Sequence, residues 1–120
     1  MSTYYGIYEY NEHNVCVNPD IVTVDNHTWV KVAQRSEDEW VYGFWYYNGS
    51  SPCMRGVEVC ESREHAIKCA LKALLAALER SAKWNKMNDG GQSLSAALFA
   101  SAKRTSAKLE EFSYKQLALF

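Results

Sequence analysis

The chain has 120 residues, of which 48% are apolar and 22% are charged, and its formal net charge is −1. This balance is that of a globular domain and excludes a wholly disordered chain. No apolar run approaches the roughly 20 residues that cross a bilayer, and the first residues lack the basic start and apolar core of a signal peptide. We therefore predict a cytoplasmic protein with no membrane partner.

The charge is unevenly distributed along the chain. Residues 1–64 carry 10 acidic and 4 basic side chains, whereas residues 65–120 carry 4 acidic and 9 basic ones. An acidic front half repels phosphate backbones, and the back half is only mildly basic. Charge alone therefore does not favour a nucleic-acid binder.

The first half of the chain predicts a series of short strands. Segments rich in aromatic and β-branched residues alternate with clusters of Asn, Asp, Gly and Pro that form turns. The predicted strands are residues 4–10 (with 15–17 as an extension), 21–24, 28–33 and 40–47. Residues 48–52 have turn-forming side chains at nearly every position, so we expect them to end the last strand.

A long amphipathic helix is predicted over residues 62–83. Ser62 is a good N-cap and Glu64 lies in the first turn. The apolar residues that follow recur at the spacing of one helical face, namely Ile67, Ala70, Leu71, Leu74, Leu75 and Leu78. We predict an α+β fold for residues 1–84, in which this helix crosses one face of an antiparallel meander of three or four strands.

A second helix is predicted over residues 93–112, after a flexible joint at residues 85–92. The joint contains Asn88-Asp89-Gly90-Gly91, which stops a helix. The apolar stripe of the second helix is narrow and comprises Leu94, Leu98, Thr105, Leu109 and Phe112. Three arrangements stay open: packing on the domain, pairing with another copy of the chain, or partial helicity. Residues 113–120 are predicted to form a flexible tail.

The aromatic strand at residues 40–47 suggests a stacking surface. Alternation places Trp40, Tyr42, Phe44 and Tyr46 on one face and Trp45 and Tyr47 on the other. Aromatic side chains on an open sheet bind single-stranded nucleic acid by stacking. The acidic stretch Glu37-Asp38-Glu39 opposes this hypothesis, and packing against the helix is the alternative use of the first face.

The four cysteines are expected to be thiols in a reducing cytosol. Cys53, Cys60, His65 and Cys69 form the one set with a conceivable zinc-binding pattern, and His65 and Cys69 can share a helix face. The intervening gaps of six, four and three residues match structural zinc sites poorly, and no Cys-x-x-Cys pair is present. We therefore predict buried thiols, no metal site and no cofactor.

No enzyme signature is present in the sequence. The chain lacks a glycine-rich phosphate loop, a His-Glu-x-x-His motif and a Gly-x-Ser-x-Gly motif. Glu9, Glu12 and His13 lie in a turn-like stretch, and His27 near Asp25 is better explained by turn formation. We therefore predict a protein that is not an enzyme.

The last five residues, Gln116-Leu117-Ala118-Leu119-Phe120, place three large apolar side chains at a chain end, where residues usually fray into solvent. Burying each would contribute about 1.5–3 kcal/mol, so a covering surface is expected. One possibility is that the tail folds back and completes the core of this protein. The other is a pocket on a partner.

The pentapeptide resembles the motif by which many proteins bind the bacterial DNA sliding clamp, the beta subunit of DNA polymerase III. The common form is Gln-Leu-(Ser or Asp)-Leu-Phe, so Gln116, Leu117, Leu119 and Phe120 fit and Ala118 departs at a tolerant position. Four specified residues coincide by chance at a given site on the order of once in 10⁵. The resemblance implies that Leu119 and Phe120 anchor in a hydrophobic pocket and that the Gln116 amide bonds in a neighbouring subsite.

The domain also resembles small proteins of phages and mobile elements. In these proteins an aromatic strand that contains glycine is paired with a helix start such as Ser62-Arg63-Glu64-His65-Ala66. The sequence thus predicts a non-enzymatic accessory protein of such an element that recruits an activity to the clamp or inhibits the clamp. The alternatives are a small domain that binds single-stranded nucleic acid through the aromatic sheet face, or a domain that self-associates, for example as a dimer.

Overall fold

The computed structural model describes residues 8–47, 49–53, 60–87 and 92–118, with side chains described for residues 93–112 of the last range. The strands are β1 (Asp20–Asp25), β2 (Thr28–Ser36), β3 (Glu39–Tyr46) and β4 (Gly49–Ser51). The helices are α1 (Arg63–Met87) and α2 (Gln92–Ala118). None of the described helices carries an apolar stretch long enough to cross a bilayer.

The four strands form one antiparallel sheet in the order β1-β2-β3-β4. Sequential neighbours pair throughout, so the sheet is a meander and the predicted α+β class is confirmed. The β1–β2 turn is stabilised by the Asp25 carboxylate, which accepts a 2.9 Å hydrogen bond from the backbone N–H of His27. This local bond explains the sharp reversal at Asn26 and His27.

The N-terminal segment differs from the prediction. Residues 4–7 of the predicted first strand lie outside the described residues, and Tyr10 forms only an isolated bridge with Cys16. Between them the chain turns around the Asn11 side chain, whose oxygen accepts bonds from the backbone N–H groups of His13 and Val15. A turn was predicted between residues 10 and 15, and backbone bonds from Asn11 to Val15 and from Val17 to Glu9 join its two arms.

The fourth strand lies where a turn was predicted. Gly49, Ser50 and Ser51 pair with Tyr46, Trp45 and Phe44 of β3. Residues with turn-forming side chains were drawn into the sheet because β3 offers an unpaired edge, and strand propensity depends strongly on such context. The turn prediction for residues 48–52 was therefore too long, although Asn48 itself lies outside the described residues.

Helix α1 confirms the predicted cap and apolar face. The Ser62 hydroxyl accepts a 3.1 Å bond from the backbone N–H of His65, as expected for an N-cap. The face that packs on the sheet is fully buried at Ile67, Leu71, Leu74 and Leu78. The helix continues to Met87 rather than ending at residue 83, since no Gly or Pro interrupts it before Asn88-Asp89-Gly90-Gly91.

Helix α2 packs on the domain, which is one of the three arrangements left open by the sequence. Leu98 and Ala102 belong to the same buried cluster as the α1 face and the β2 side chains Val30 and Val32. At the start of α2, the Ser95 hydroxyl donates a 2.8 Å bond to the Ala82 carbonyl of α1. The two helices therefore lie side by side over one face of the sheet.

The ends of α2 also differ from the prediction. Residues 88–91 of the predicted joint lie outside the described residues, while 85–87 belong to α1 and Gln92 begins α2. At the other end, the backbone of residues 113–118 continues the helix, although a flexible tail was predicted from residue 113. No Gly or Pro occurs between Phe112 and Ala118, so nothing in the local sequence stops the helix there.

The opposite face of the sheet is only partly covered. Ala33 and Val41 lie beneath Tyr8, Cys16 and Cys53, which form a second buried cluster. The Tyr8 hydroxyl donates a 2.8 Å bond to the Asp20 carboxylate, and this bond holds the N-terminal segment in place. Beyond this cluster, Trp29 and Trp45 on the same face are half-buried, and Ile21 is 50% exposed.

Candidate functional site

The pentapeptide that is predicted to bind the clamp begins near the end of α2. Gln116 and Leu117 lie within the helical backbone, Ala118 is the last described residue, and Leu119 and Phe120 lie outside the described residues. Upstream, Leu109 and Phe112 are half-buried and pack against the core. The first three residues of the pentapeptide therefore continue a helix that is anchored to the domain.

The predicted stacking residues Trp40, Tyr42, Phe44 and Tyr46 lie on the sheet face that the helices cover. All four are half-buried and pack against the main core cluster. The strand register explains this placement, because Phe44 pairs with Val30 and Tyr42 pairs with Val32, and directly paired residues share a face. The packing therefore favours the interpretation that these four side chains belong to the core.

The sheet face opposite the helices carries a different aromatic pair. Trp29 and Trp45 are direct cross-strand partners, and their rings stack with centroids 4.4 Å apart and planes inclined by 11°. Lys31 follows on the same face, and partial burial lowers the pKa of its ammonium group. Trp29 was not singled out from the sequence, although its alternation with Lys31 along β2 was the available signal.

A cleft of about 510 Å³ lies between the β1–β2 turn and α2. Tyr47, predicted on the second face of β3, is exposed there and meets the His27 ring edge-to-face at 5.2 Å. At its wall, the Asp25 carboxylate accepts bonds from the Ser101 hydroxyl at 2.8 Å and from the Arg104 guanidinium at 3.2 Å. Every bond to Asp25 thus comes from the protein's own fold, and the carboxylate ties the turn to α2.

The ionisation of Asp25 reflects these contacts. Burial raises the pKa of its carboxyl group, but the His27 N–H and the Ser101, Thr28 and Arg104 side chains together outweigh burial and lower it. A carboxylate held in its charged form in this way is a poor proton acceptor. Glu12 and His13 form a solvent-exposed pair 3.5 Å apart.

Exposed apolar side chains occur around the helix hairpin. Trp84 and Met87, near the end of α1, are 63% and 85% exposed, and Phe99 on α2 is 38% exposed. Large apolar side chains that stay in solvent are common at interaction surfaces. These three residues are the described surface on which the predicted self-association would depend.

The cysteines divide into two groups. Cys53 is buried in the second cluster, where its thiol donates to the Val41 carbonyl at 3.5 Å and burial raises its pKa to about 12. Cys60, His65 and Cys69 come together elsewhere, with their potential ligand atoms all within 4.8 Å of one another. The four-residue zinc set considered from the sequence is therefore split, and three of its members converge.

The fold positions these three residues through two separate contacts. Cys60 exchanges two backbone hydrogen bonds of 2.8 Å with Trp40 of β3, which holds it beside the sheet. His65 and Cys69 lie one turn apart in the first half of α1, and residues four apart share a helix face. The His65 Nδ1 accepts a long 3.4 Å bond from the backbone N–H of Glu61.

No family model, curated protein or solved structure matches this chain. Function is therefore inferred from the residues and contacts described above.

Proposed function

We propose that this chain is a non-enzymatic accessory protein that binds the bacterial DNA sliding clamp through residues 116–120, and that it belongs to a phage or mobile element. The observation that carries the proposal is the agreement of Gln116, Leu117, Leu119 and Phe120 with the clamp-binding pattern.

The chemistry of the pentapeptide suits a shallow pocket on a partner. Leu119 and Phe120 supply two adjacent apolar anchors, each contributing about 1.5–3 kcal/mol when fully buried. The Gln116 amide offers both a donor and an acceptor for a polar subsite. The final turn of a helix lacks partners for its last carbonyl groups and frays readily. Gln116 and Leu117 can therefore leave α2 at the loss of few hydrogen bonds, and the entropic cost arises when the segment is ordered on the clamp.

Two outcomes of clamp binding are consistent with this arrangement. A helix anchored to a folded domain can bring that domain to the clamp, or the peptide can occupy the pocket and displace the clamp's other clients. A clamp-dependent primer-extension assay separates them, because an inhibitor lowers synthesis as its concentration rises whereas a recruiter leaves synthesis unchanged.

The direct test is retention of the protein on immobilised clamp. We expect the wild type to be retained and the double variant Leu119→Ala/Phe120→Ala to be lost, because the two anchors would be removed together. Ala118→Ser is the matched control, since the common motif has Ser at this position, and it should bind at least as well as the wild type. Equal retention of the wild type and the double variant would end the proposal.

We infer a second candidate function, single-stranded nucleic-acid binding, from the half-buried Trp29–Trp45 pair on the sheet face opposite the helices. An aromatic pair beside a lysine can stack a base and contact a phosphate. The acidic front half of the chain weakens such binding, and for that reason this function ranks second.

Trp45→Ala should weaken binding to a single-stranded oligonucleotide at low salt about tenfold, because stacking contributes about 1–3 kcal/mol per base. Trp84→Ala, which removes an exposed tryptophan on α1, should leave the affinity unchanged. Fluorescence anisotropy with a labelled oligonucleotide measures both variants, and thermal unfolding checks that each is folded. Absence of wild-type binding at low salt would eliminate this candidate.

A further inference from the structure

We propose that Cys60, His65 and Cys69 form a binding site for a thiophilic divalent cation, with zinc(II) as the preferred ion. The site is independent of clamp binding and lies at the start of α1. Its potential ligand atoms are all within 4.8 Å of one another. In a tetrahedral zinc site, bonds of about 2.3 Å to sulfur place two sulfur atoms about 3.8 Å apart. Each group therefore needs to move by only about 1 Å or less.

The backbone around the site is already held in place. Cys60 is fixed to β3 by its paired bonds with Trp40, and its side chain is only 1% exposed. The Ser62 cap fixes the first turn of α1. His65 lies in that turn, and Cys69 lies one turn later on the same face of the helix. Ligands supplied by a fixed strand neighbour and a capped helix require little chain ordering when an ion binds, and this favours affinity.

The ligand set selects the kind of ion. Two thiols and one imidazole suit zinc(II), whereas magnesium and calcium require oxygen ligands. Binding releases the two thiol protons to solvent and leaves two Zn–S bonds and one Zn–N bond. Within the part of the chain that the structure describes, the His65 Nδ1 accepts a 3.4 Å bond from the backbone N–H of Glu61, which is weak at that length and is easily displaced.

Three protein ligands leave one position of the tetrahedron for water or another small ligand. This is the pattern of zinc sites with an exchangeable position rather than of closed structural sites. The side chains grade from buried Cys60 through half-buried Cys69 to exposed His65. The open position of the ion would therefore be accessible from the solvent side, next to His65.

The sequence argument against zinc depended on spacing alone. It assumed that Cys53 would be the fourth ligand, and Cys53 is instead buried against Val41 in the second cluster. Without Cys53, the candidate ligands lie between residues 60 and 69. The Trp40–Cys60 bridge holds Cys60 beside the sheet, close to His65 and Cys69 of α1. We infer a three-ligand site in place of the four-ligand site first considered.

The test uses the purified full-length chain, reduced with a phosphine and freed of metal with a chelator. Zinc(II) titration in competition with a chromogenic chelator should show one ion bound per chain. Cobalt(II) should produce the intense near-ultraviolet charge-transfer band of thiolate ligands. His65→Ala and Cys69→Ser should each weaken zinc binding at least about tenfold, the lower limit expected even for residues that merely support a ligand.

Two control variants keep the result interpretable. His13→Ala removes an exposed histidine and Cys53→Ala removes a buried thiol, both outside the site, and both should bind zinc as tightly as the wild type. His65 is exposed, so His65→Ala should retain the fold, which circular dichroism can verify. The proposal fails if the reduced wild type takes up no stoichiometric zinc, if His65→Ala and Cys69→Ser bind as well as the wild type, or if Cys53→Ala loses the ion.

Discussion

Leu98→Ala is expected to lower the free energy of unfolding by about 2–5 kcal/mol, the range for truncating a buried leucine. Leu98 is 1% exposed and belongs to the core cluster that joins α2 to α1 and β2. For a domain of this size the loss corresponds to a decrease in melting temperature of about 10 °C or more. Urea denaturation, or thermal unfolding followed by circular dichroism, measures the effect.

The neighbouring residue provides the matched control for this prediction. Phe99 is one position further along α2 and is 38% exposed, so Phe99→Ala should change stability by less than about 1 kcal/mol. The contrast tests whether α2 is an integral part of the core or a loosely attached helix. Similar small effects from both variants would contradict the packing of α2 on the domain.

Gly43→Ala is expected to destabilise the protein by about 1–3 kcal/mol, the usual cost of overpacking a buried site. A Cβ atom at residue 43 would lie 2.4 Å from the Ser51 carbonyl oxygen and 2.6 Å from the Pro52 carbonyl carbon. Both atoms are backbone, so the chain that follows β4 must move away from the sheet. That movement would also disturb the second cluster, in which Cys53 packs beside Val41.

Gly49→Ala is the corresponding control for β4. A Cβ atom at residue 49 would meet only the ring and hydroxyl of Tyr46, at 3.0–3.2 Å, and that side chain can rotate. We expect Gly49→Ala to change stability much less than Gly43→Ala does when both are measured by urea denaturation. Equal stability of the two variants would contradict the close contact between the backbone of residues 51–53 and Gly43.

Local patterns were sufficient wherever the controlling interactions are short-range. The Ser62 cap and the leucine spacing of α1 depend on residues three and four positions apart, and both were predicted correctly. The strands at β1, β2 and β3 were also found, because alternation of side chains is a property of each strand alone. The α+β meander followed from these elements and the short turns between them.

The differences arise where pairing or packing between elements decides the outcome. Gly49–Ser51 became a strand because the adjacent strand β3 had an edge to pair with, although Gly and Ser favour turns. The packing of α2 was left open because its narrow stripe is completed by α1 and β2. Those partners lie far from α2 along the chain, and no window of local sequence contains that information.

The sequence by itself determined the type of fold and the apolar face of α1. It also supplied the hypothesis that residues 116–120 bind the sliding clamp. The tertiary structure decided which face of β3 the helices cover, and so placed Trp29 and Trp45, rather than Trp40 and Tyr42, on the face opposite the helices. It also separated Cys53 from Cys60, His65 and Cys69. The physical reason is that spacing along a helix or strand is set by backbone geometry, whereas the meeting of side chains from different elements is set by packing of the whole core.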